Sequence, residues 1–170
     1  HYLYITCMDK VKTFLDEIFN ELKRYNININ QYQVDHIAYR TESKQEYEKI
    51  RDEIKKYGEI YPEAIIRDRR IAVYRLYKPI VYEKWKIEAI ELLEPADNND
   101  FISGWEHIEV VVDDLQQVMN TYTNLDWNTN ALSRINNPEL SFRINKRLGI
   151  KFHTISILEA RELQVKTGVL

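Results

Sequence analysis

Three of the four histidines stand in a pattern that could build a metal site. His36 lies in the string Asp-His-Ile and His107 lies in the string Glu-His-Ile, so the two share a local context. His153 comes later, in the string Lys-Phe-His-Thr. Imidazole and carboxylate groups suit divalent Zn, Fe, Ni, Co and Mn. These positions are therefore candidate ligands of one divalent metal ion whose identity the sequence leaves open.

The elements that would position these residues occur twice along the chain. Runs at 34–40 and 105–112 read as strands. Each is followed by a helix signal, which is the capping pair Ser43 and Glu46 in the first half and Asp114 in the second. Three further strand-like runs follow each helix, at 58–67, 70–77 and 85–93 and then at 129–134, 139–145 and 150–157. Each half therefore reads βαβββ, an internal repeat.

The repeat predicts which side chains meet. Glu91 lies in the last predicted strand of the first half, and His153 lies in that of the second. If the first and last strands of each half are neighbours, His36 can face Glu91 and His107 can face His153 at cross-strand distance. A single strand histidine is more often structural. The coincidence of equivalent strands favours a shared metal site formed by these four residues.

Acidic residues flank the same histidines. Glu109 lies two residues after His107, hence on the same strand face, and is our candidate for proton transfer. A fifth ligand, a partner of a ligand and an exposed carboxylate are its alternatives. Asp35 and Glu106 should point to the opposite face and make structural hydrogen bonds. The His-x-Glu fragment also occurs in zinc nucleobase deaminases, but those need a downstream Cys pair and Cys7 is the sole cysteine, which excludes that class.

Arginine and tyrosine residues near these strands could hold a substrate. Arg40 shares strand parity with His36 and could line the same cleft. Tyr74 and Arg75 are further candidates, as is Arg70. Because a guanidinium fork matches a carboxylate or phosphate, they favour an anionic small-molecule substrate. The alternative for each arginine is a solvated surface position.

Composition excludes several functional classes. The 170 residues are 44% hydrophobic and 30% charged, as in a soluble globular protein of one domain. The formal net charge of -3 disfavours a nucleic-acid binder. No apolar run approaches the roughly 20 residues that span a bilayer, so we expect no membrane association. A single cysteine excludes a disulfide framework and fits a reducing compartment, so we expect a cytoplasmic protein.

The chain should form one α+β domain over residues 1–170. Apolar residues at helical spacing predict a helix near 9–25, which would cover a sheet or form a subunit contact. Monomer and homodimer therefore both stay open. A polar, turn-rich segment at 95–100 separates the two halves. The predicted parts are an N-terminal helical extension at 1–33, modules at 34–95 and 101–157, and a C-terminal segment at 158–170.

Several strings together resemble a known family. They lie at 35–40 (DHIAYR), 104–109 (GWEHIE) and 150–153 (IKFH), with weaker matches at 70–71, 78–79, 85, 91–92 and 137–140. They are similar to the YecM family of predicted metalloenzymes. That family resembles the vicinal-oxygen-chelate superfamily, the fold of glyoxalase I and the extradiol dioxygenases.

The resemblance implies a cupped mixed sheet of paired βαβββ modules around one divalent metal. In that superfamily the ligands come from the first and last strands of each module, which gives His36, Glu91, His107 and His153. Glyoxalase-like members generally carry a carboxylate where this chain has His153. The implied function is a metal-dependent enzyme that chelates neighbouring oxygens of a small molecule, as a lyase, isomerase or dioxygenase. The alternatives are a non-catalytic metal- or anion-binding module of the same fold and an interaction scaffold that uses the first helix.

Overall fold

One curled, mixed sheet of eight strands organises the protein in the computed structural model, which describes residues 6–95 and 102–170. The strand order is β2-β4-β5-β1-β6-β8-β7, and β3 pairs with β4 outside this path. The strands are β1 (Gln33–Arg40), β2 (Gly58–Ile60), β3 (Ala64–Ile66), β4 (Arg69–Tyr82), β5 (Trp85–Leu93), β6 (Gly104–Val111), β7 (Glu139–Arg143) and β8 (Gly149–His153).

Within the described residues, four α-helices accompany the sheet, and a 3-10 turn at Met8–Lys10 leads into the first of them. The helices are α1 (Val11–Arg24), α2 (Lys44–Ile54), α3 (Leu115–Thr121) and α4 (Ile157–Lys166). The predicted caps of α2 and α3 are confirmed. Ser43 accepts a hydrogen bond from the Glu46 amide, and Asp114 accepts from two amides of the first turn of α3. Across residues 6–95 and 102–170, no helix is both long enough and apolar enough to cross a membrane.

The predicted neighbours are confirmed at the centre of the sheet. β1 pairs in parallel with β5, and β6 pairs in parallel with β8. Antiparallel pairing of β1 with β6 then joins the two halves. The α+β class, the N-terminal helix and the curled mixed sheet are as expected. The predicted linker positions 96–100 lie outside the described residues.

The strand predictions fail where turn chemistry or proline intervenes. Residues 129–134 form turns, and only the single bridge from Asn128 to Ser141 remains of the predicted strand. The Asn128 side chain accepts a hydrogen bond from the Asn130 amide, a local bond that competes with strand pairing. The run at 58–67 is divided into β2 and β3 around Pro62, which lacks an amide donor. The last predicted strand stops at His153, because Ser156 caps α4.

Helices cover the two faces of the sheet unequally. The apolar stripe of α1 packs on one face, where Phe14 stacks on Trp105 at 6.0 Å and Phe19 lies 4.8 Å from Trp85 between ring centroids. The same core includes apolar residues of α2 and α3. On the opposite face, Leu158 of α4 packs in a small cluster of its own. The first helix therefore uses its apolar face for the core, and the opposite face of the sheet is left for a cleft.

Arg70, a candidate anion binder by sequence, instead ties the end of β5 to the start of β4. Its guanidinium donates to Glu94 at 2.9 Å, and the Arg70 amide donates to the same carboxylate at 2.7 Å. The Glu94 side chain is 4% exposed. Burial raises the pKa of Glu94, but the Arg70 bonds outweigh burial and hold the pKa below its ordinary value.

We expect Glu94→Gln to lower the free energy of unfolding by about 1–3 kcal/mol at pH 7, because Arg70 loses one of its two carboxylate partners and keeps only Glu48. A depressed folded-state pKa means that the wild-type contribution is present above pH 4.5 and is lost as the pH falls through the folded value. The difference between wild type and variant should therefore shrink below pH 4.5. Urea unfolding measured from pH 7 to pH 3 tests this, with exposed Glu88→Gln as control. A difference that does not change with pH would contradict it.

Candidate metal centre

The candidate centre lies on the three middle strands β5, β1 and β6. Ala38 of β1 is flanked in register by Glu91 on one side and His107 on the other. His36 lies two residues before Ala38 and pairs with Glu109 of β6. Because Ala38 has only a methyl group, no bulky side chain of β1 stands between Glu91 and His107. The register thus gathers two imidazoles and two carboxylates on one face of the sheet.

The separations within this group suit a metal ion. The Nε2 atom of His36 lies 3.3 Å from Glu109 Oε2 and 3.8 Å from Glu91 Oε2. The Nε2 atom of His107 lies 3.4 Å from Glu109 Oε1 and 3.5 Å from Glu91 Oε2. Ligand atoms about 2.1 Å from an ion lie about 3.0 Å apart at octahedral angles and about 3.4 Å apart at tetrahedral angles. Small adjustments would therefore bring these atoms onto one ion.

Each imidazole is oriented by a bond at its other nitrogen. Nδ1 of His36, His107 and His153 donates to Asp35 at 2.7 Å, Glu106 at 3.1 Å and Asn137 at 2.8 Å, respectively. The three Nε2 atoms and Glu91 Oε2 are buried without a hydrogen-bond partner. A proton at Nδ1 leaves the Nε2 lone pair available, which is the tautomer that a metal ligand requires. The donor set therefore fits a divalent ion.

Two β-bulges produce this orientation. We expected Asp35 and Glu106 to face away from the histidines and to make structural hydrogen bonds. The hydrogen bonds are present, but the orientation was wrong, because each acid accepts from the histidine that follows it. The pairing of β1 with β6 shifts by one residue at each of them, so each is an extra residue in its strand. A bulge breaks the alternation of side chains and can re-aim one of them. Each acid thereby reaches the ring of the histidine that follows it.

Arg40 fixes one of these acids. It lines the cleft, as predicted, but its guanidinium donates to Glu106 through Nε and, at 2.9 Å, through a terminal nitrogen. Both side chains are at most 8% exposed. A two-point bond of this kind restricts the carboxylate that orients His107. Arg40 thus positions the centre through Glu106.

The other two predicted substrate residues lie away from the cleft. Tyr74 is fully buried, and its hydroxyl donates to the Arg51 carbonyl of α2. Arg75 donates to the Tyr61 hydroxyl and, at 2.5 Å, to Glu162 of α4. Strand position alone did not reveal that these side chains point elsewhere.

The strand register also shows which residue of β8 corresponds to Glu91 of β5. In the first half, the residue on β5 that lies opposite Ala38, two positions past His36, is Glu91. The corresponding residue on β8 lies opposite Glu109, two positions past His107, and is Lys151. His153 is one side chain further along the same face. Repeat symmetry therefore places a lysine where the sequence analysis placed His153.

Glu109 takes the fourth place in the group, and His153 belongs to a second, overlapping one. The ligand atoms of His36, Glu91, His107 and Glu109 all lie within 4.8 Å of one another. The second group joins His153 to Glu109 at 3.1 Å and to Glu139 at 3.3 Å. Glu109 is shared by the two groups. Three of the four predicted ligands thus lie in the first group, and the fourth, His153, lies in the second group, which shares Glu109 with the first.

The buried charges stabilise one another. Burial and the Lys151 charge lower the pKa of His107, but Glu106, Glu109 and Glu91 outweigh them and raise it to about 9. Burial raises the pKa of Glu109, yet the neighbouring histidines hold it well below its ordinary value. The carboxylates are therefore ionised at neutral pH and attract a cation, so protons and a metal ion compete for this centre.

A cleft of about 400 Å³ opens above the centre. Its wall includes Arg69 at the start of β4 and Arg161 of α4, which the sequence analysis did not single out. Alternation in β4 could have placed Arg69 on the face of Ile71, but only with the strand boundary known. Nothing in the sequence pattern indicated that α4 returns over the sheet, so Arg161 carried no signal.

Comparison with known proteins identifies the family. The family model described as YecM protein matches residues 4–162. The chain belongs to the YecM family. It is 29% identical over 161 residues to Protein YecM of Escherichia coli K12, covering 85% of this chain and 84% of that one.

Solved structures agree with this fold. A structural-genomics structure, Protein EC4020, superposes with a TM-score of 0.78 at 26% identity, covering 93% of this chain and 91% of that one. Methylmalonyl-CoA epimerase in complex with methylmalonyl-CoA and NH4+ gives a TM-score of 0.51 at 12% identity, covering 72% and 93%. The epimerase likeness supports the predicted glyoxalase-like fold.

We expect Asp35→Ala to weaken binding of a divalent ion about 10–100-fold, because Nδ1 of His36 loses its acceptor. Asp35→Asn should lose less, since its amide oxygen can still accept. Competition with a chromophoric chelator measures the affinity, and exposed Asp113→Ala is the control. Wild-type affinity in the alanine variant would show that Asp35 does not orient the ligand.

Proposed function

We propose that this protein is a metal-dependent enzyme acting on a small molecule, with one divalent ion held by His36, Glu91, His107 and Glu109. The observation that carries the proposal is the convergence of Nε2 atoms without hydrogen-bond partners on buried carboxylates. A buried polar atom without a partner is costly, and a metal ion would supply the partner that these atoms lack. The glyoxalase-like fold adds support through its metal-dependent relatives.

The chain's own residues would prepare the site for chemistry. Asp35 and Glu106 hold the Nδ1 protons of the two ligand histidines, which keeps both Nε2 lone pairs directed at the ion. The bound ion would supply Lewis-acid stabilisation of negative charge on neighbouring substrate oxygens. Four protein ligands leave two positions at a six-coordinate ion and none at tetrahedral zinc, so an enzymatic role requires the higher coordination number.

Proton transfer is the second requirement of a lyase or isomerase. We predicted Glu109 for this role, and its position within the ligand group makes it the fourth ligand in our proposal. His153 Nε2 lies 3.1 Å from Glu109 and 3.3 Å from Glu139. His153 and Glu139 are thus the groups beside the ligand set that can hold a proton at the cleft.

A non-catalytic module that binds a metal or a small anion is the second candidate. It is favoured by the completeness of the protein ligand set, since a tetrahedral ion would have no position left for a substrate. For either function we infer a small-molecule ligand and a cytoplasmic location, the latter from the single, buried Cys7. Neither candidate requires a membrane or a nucleic acid, and either can act as monomer or homodimer.

Metal analysis of protein purified without chelator tests the ligand set. We expect one divalent ion per chain in the wild type. His107→Ala and Glu109→Ala should lower the affinity at least about 100-fold, because each removes a ligand. His153→Ala should retain the ion and serves as the matched control. Loss of metal in His153→Ala together with its retention in Glu109→Ala would contradict the proposed set.

Activity assays then separate enzyme from binding module. The loaded wild type is incubated with dicarbonyl, catechol and hydroxy-acid compounds. Turnover that disappears in His107→Ala supports the enzyme. Stoichiometric metal with tetrahedral coordination by X-ray absorption and no turnover supports the binding module.

A further inference from the structure

The cleft wall carries two arginines, Arg69 and Arg161, that have no carboxylate within 4.0 Å in the part of the chain that the structure describes. We propose that Arg69 and Arg161 form a subsite for an oxyanion, the carboxylate or phosphate group of a small substrate. The inference deepens the proposed function, because the subsite lies in the cleft above the candidate metal centre. That the ligand is a substrate rests on the proposed function. The subsite itself is argued from the two side chains.

Arg69 is a half-buried cation at the first position of β4. Its side chain lines the cleft, and its Nε atom is buried without a hydrogen-bond partner. Within residues 6–95 and 102–170, no carboxylate lies within 4.0 Å of its nitrogens. A guanidinium that gives up water without gaining an acceptor is destabilising, and an anion in the cleft would remove that cost.

Arg161 brings a second cation to the cleft from α4. It is 5% exposed, and its terminal nitrogens donate only to neutral oxygens, at 2.8 Å to the Gln164 side chain and at 3.5 Å to the Ile71 carbonyl. It also has no carboxylate within 4.0 Å in the described part of the chain. Burial lowers the pKa of both guanidiniums, and in each case the charge of Glu91 opposes this effect.

Arginines outside the cleft show the opposite arrangement. Arg51, Arg70, Arg75 and Arg147 are all more exposed than Arg161, and each pairs with at least one carboxylate. These four arginines thus each have a carboxylate partner, whereas within residues 6–95 and 102–170 buried Arg161 and half-buried Arg69 have none. A buried or half-buried arginine without a carboxylate partner is expected where the counter-charge arrives with a ligand.

The chemistry of the wall defines the ligand class. A planar guanidinium fork binds carboxylate and phosphate oxygens at two points. Amide side chains of Asn128, Asn130 and Asn137 line the same cleft and can bind neutral polar groups of the same molecule. The cleft volume of about 400 Å³ is near the lower end of the roughly 300–1,000 Å³ of ligand pockets. The ligand is therefore a small acid.

Calorimetric titration of the whole chain tests the subsite with three probes: malonate, inorganic phosphate and neutral malonamide. Each is titrated into metal-loaded and EDTA-treated protein, so that binding to an ion is separated from binding to the arginines. We expect an anion to bind in both states and malonamide not to bind. The stronger anion assigns the group as carboxylate or phosphate.

Arg69→Gln and Arg161→Gln should each weaken anion binding at least about tenfold. Arg24→Gln, on the exposed surface of α1 and paired with Glu21, is the matched control and should bind as the wild type does. Melting temperatures should be unchanged or higher in Arg69→Gln, because a half-buried cation without a carboxylate partner is removed. If Arg161→Gln fails to fold, anion affinity is measured in Arg69→Lys instead. That variant keeps the charge but loses the guanidinium fork, so it should also weaken anion binding.

The outcomes separate this inference from the metal proposal. Anion affinity that is equal in wild type, Arg69→Gln and Arg24→Gln overturns the subsite, even if one metal ion is bound per chain. If the wild type binds no metal but binds the anion, and Arg69→Gln loses that binding, the metal proposal is overturned and the subsite is supported. Metal content is measured for every variant by mass spectrometry.

Discussion

The centre of the sheet depends on one constraint, which is that polar atoms buried on the middle strands must find partners. His36 is fully buried and His107 is 1% exposed, so water cannot solvate their rings. One nitrogen of each is bound by the acid that precedes it in the chain. The other nitrogen faces carboxylates that attract a cation. A proton or a metal ion would balance this group.

The two bulges in the backbone of β1 and β6 satisfy part of that constraint. In a regular strand, Asp35 and Glu106 would face away from the rings that they orient. One extra residue at each position turns the acid to the ring, and Arg40 then holds Glu106 in place. The local strings Asp-His-Ile and Glu-His-Ile thus encode a histidine together with its orienting acid. This also explains why the two strings resemble each other.

Much of the fold and part of the centre could be predicted from the sequence, for identifiable reasons. The strand and helix that begin each half were visible because the capping signals at Ser43 and Asp114 follow equivalent strands, whereas the predicted strand at 129–134 is absent. His36, Glu91 and His107 could be placed because adjacent parallel strands bring their ends together. The sequence showed neither the register of β1 against β6, which depends on the two bulges, nor the register of β8 against β6. For that reason His153 was assigned a place that the structure gives to Lys151.

The departure from symmetry has a consequence for the cleft. A carboxylate at position 151 would match Glu91 and make the two halves equivalent, but the lysine there lies 3.8 Å from Glu109 and 3.5 Å from Glu139. Glu109 is thus drawn between the imidazoles on one side and a cation on the other. The second half also carries a second group, in which Glu139 and His153 join Glu109. The acids at the base of the cleft can bind a cation, and the two arginines in its wall have no carboxylate within 4.0 Å in the described part of the chain, so the cleft presents opposite charges at two levels. A metal ion below and an acid above would complement both levels at once, so one small ligand that contacts the ion and the wall accounts for both.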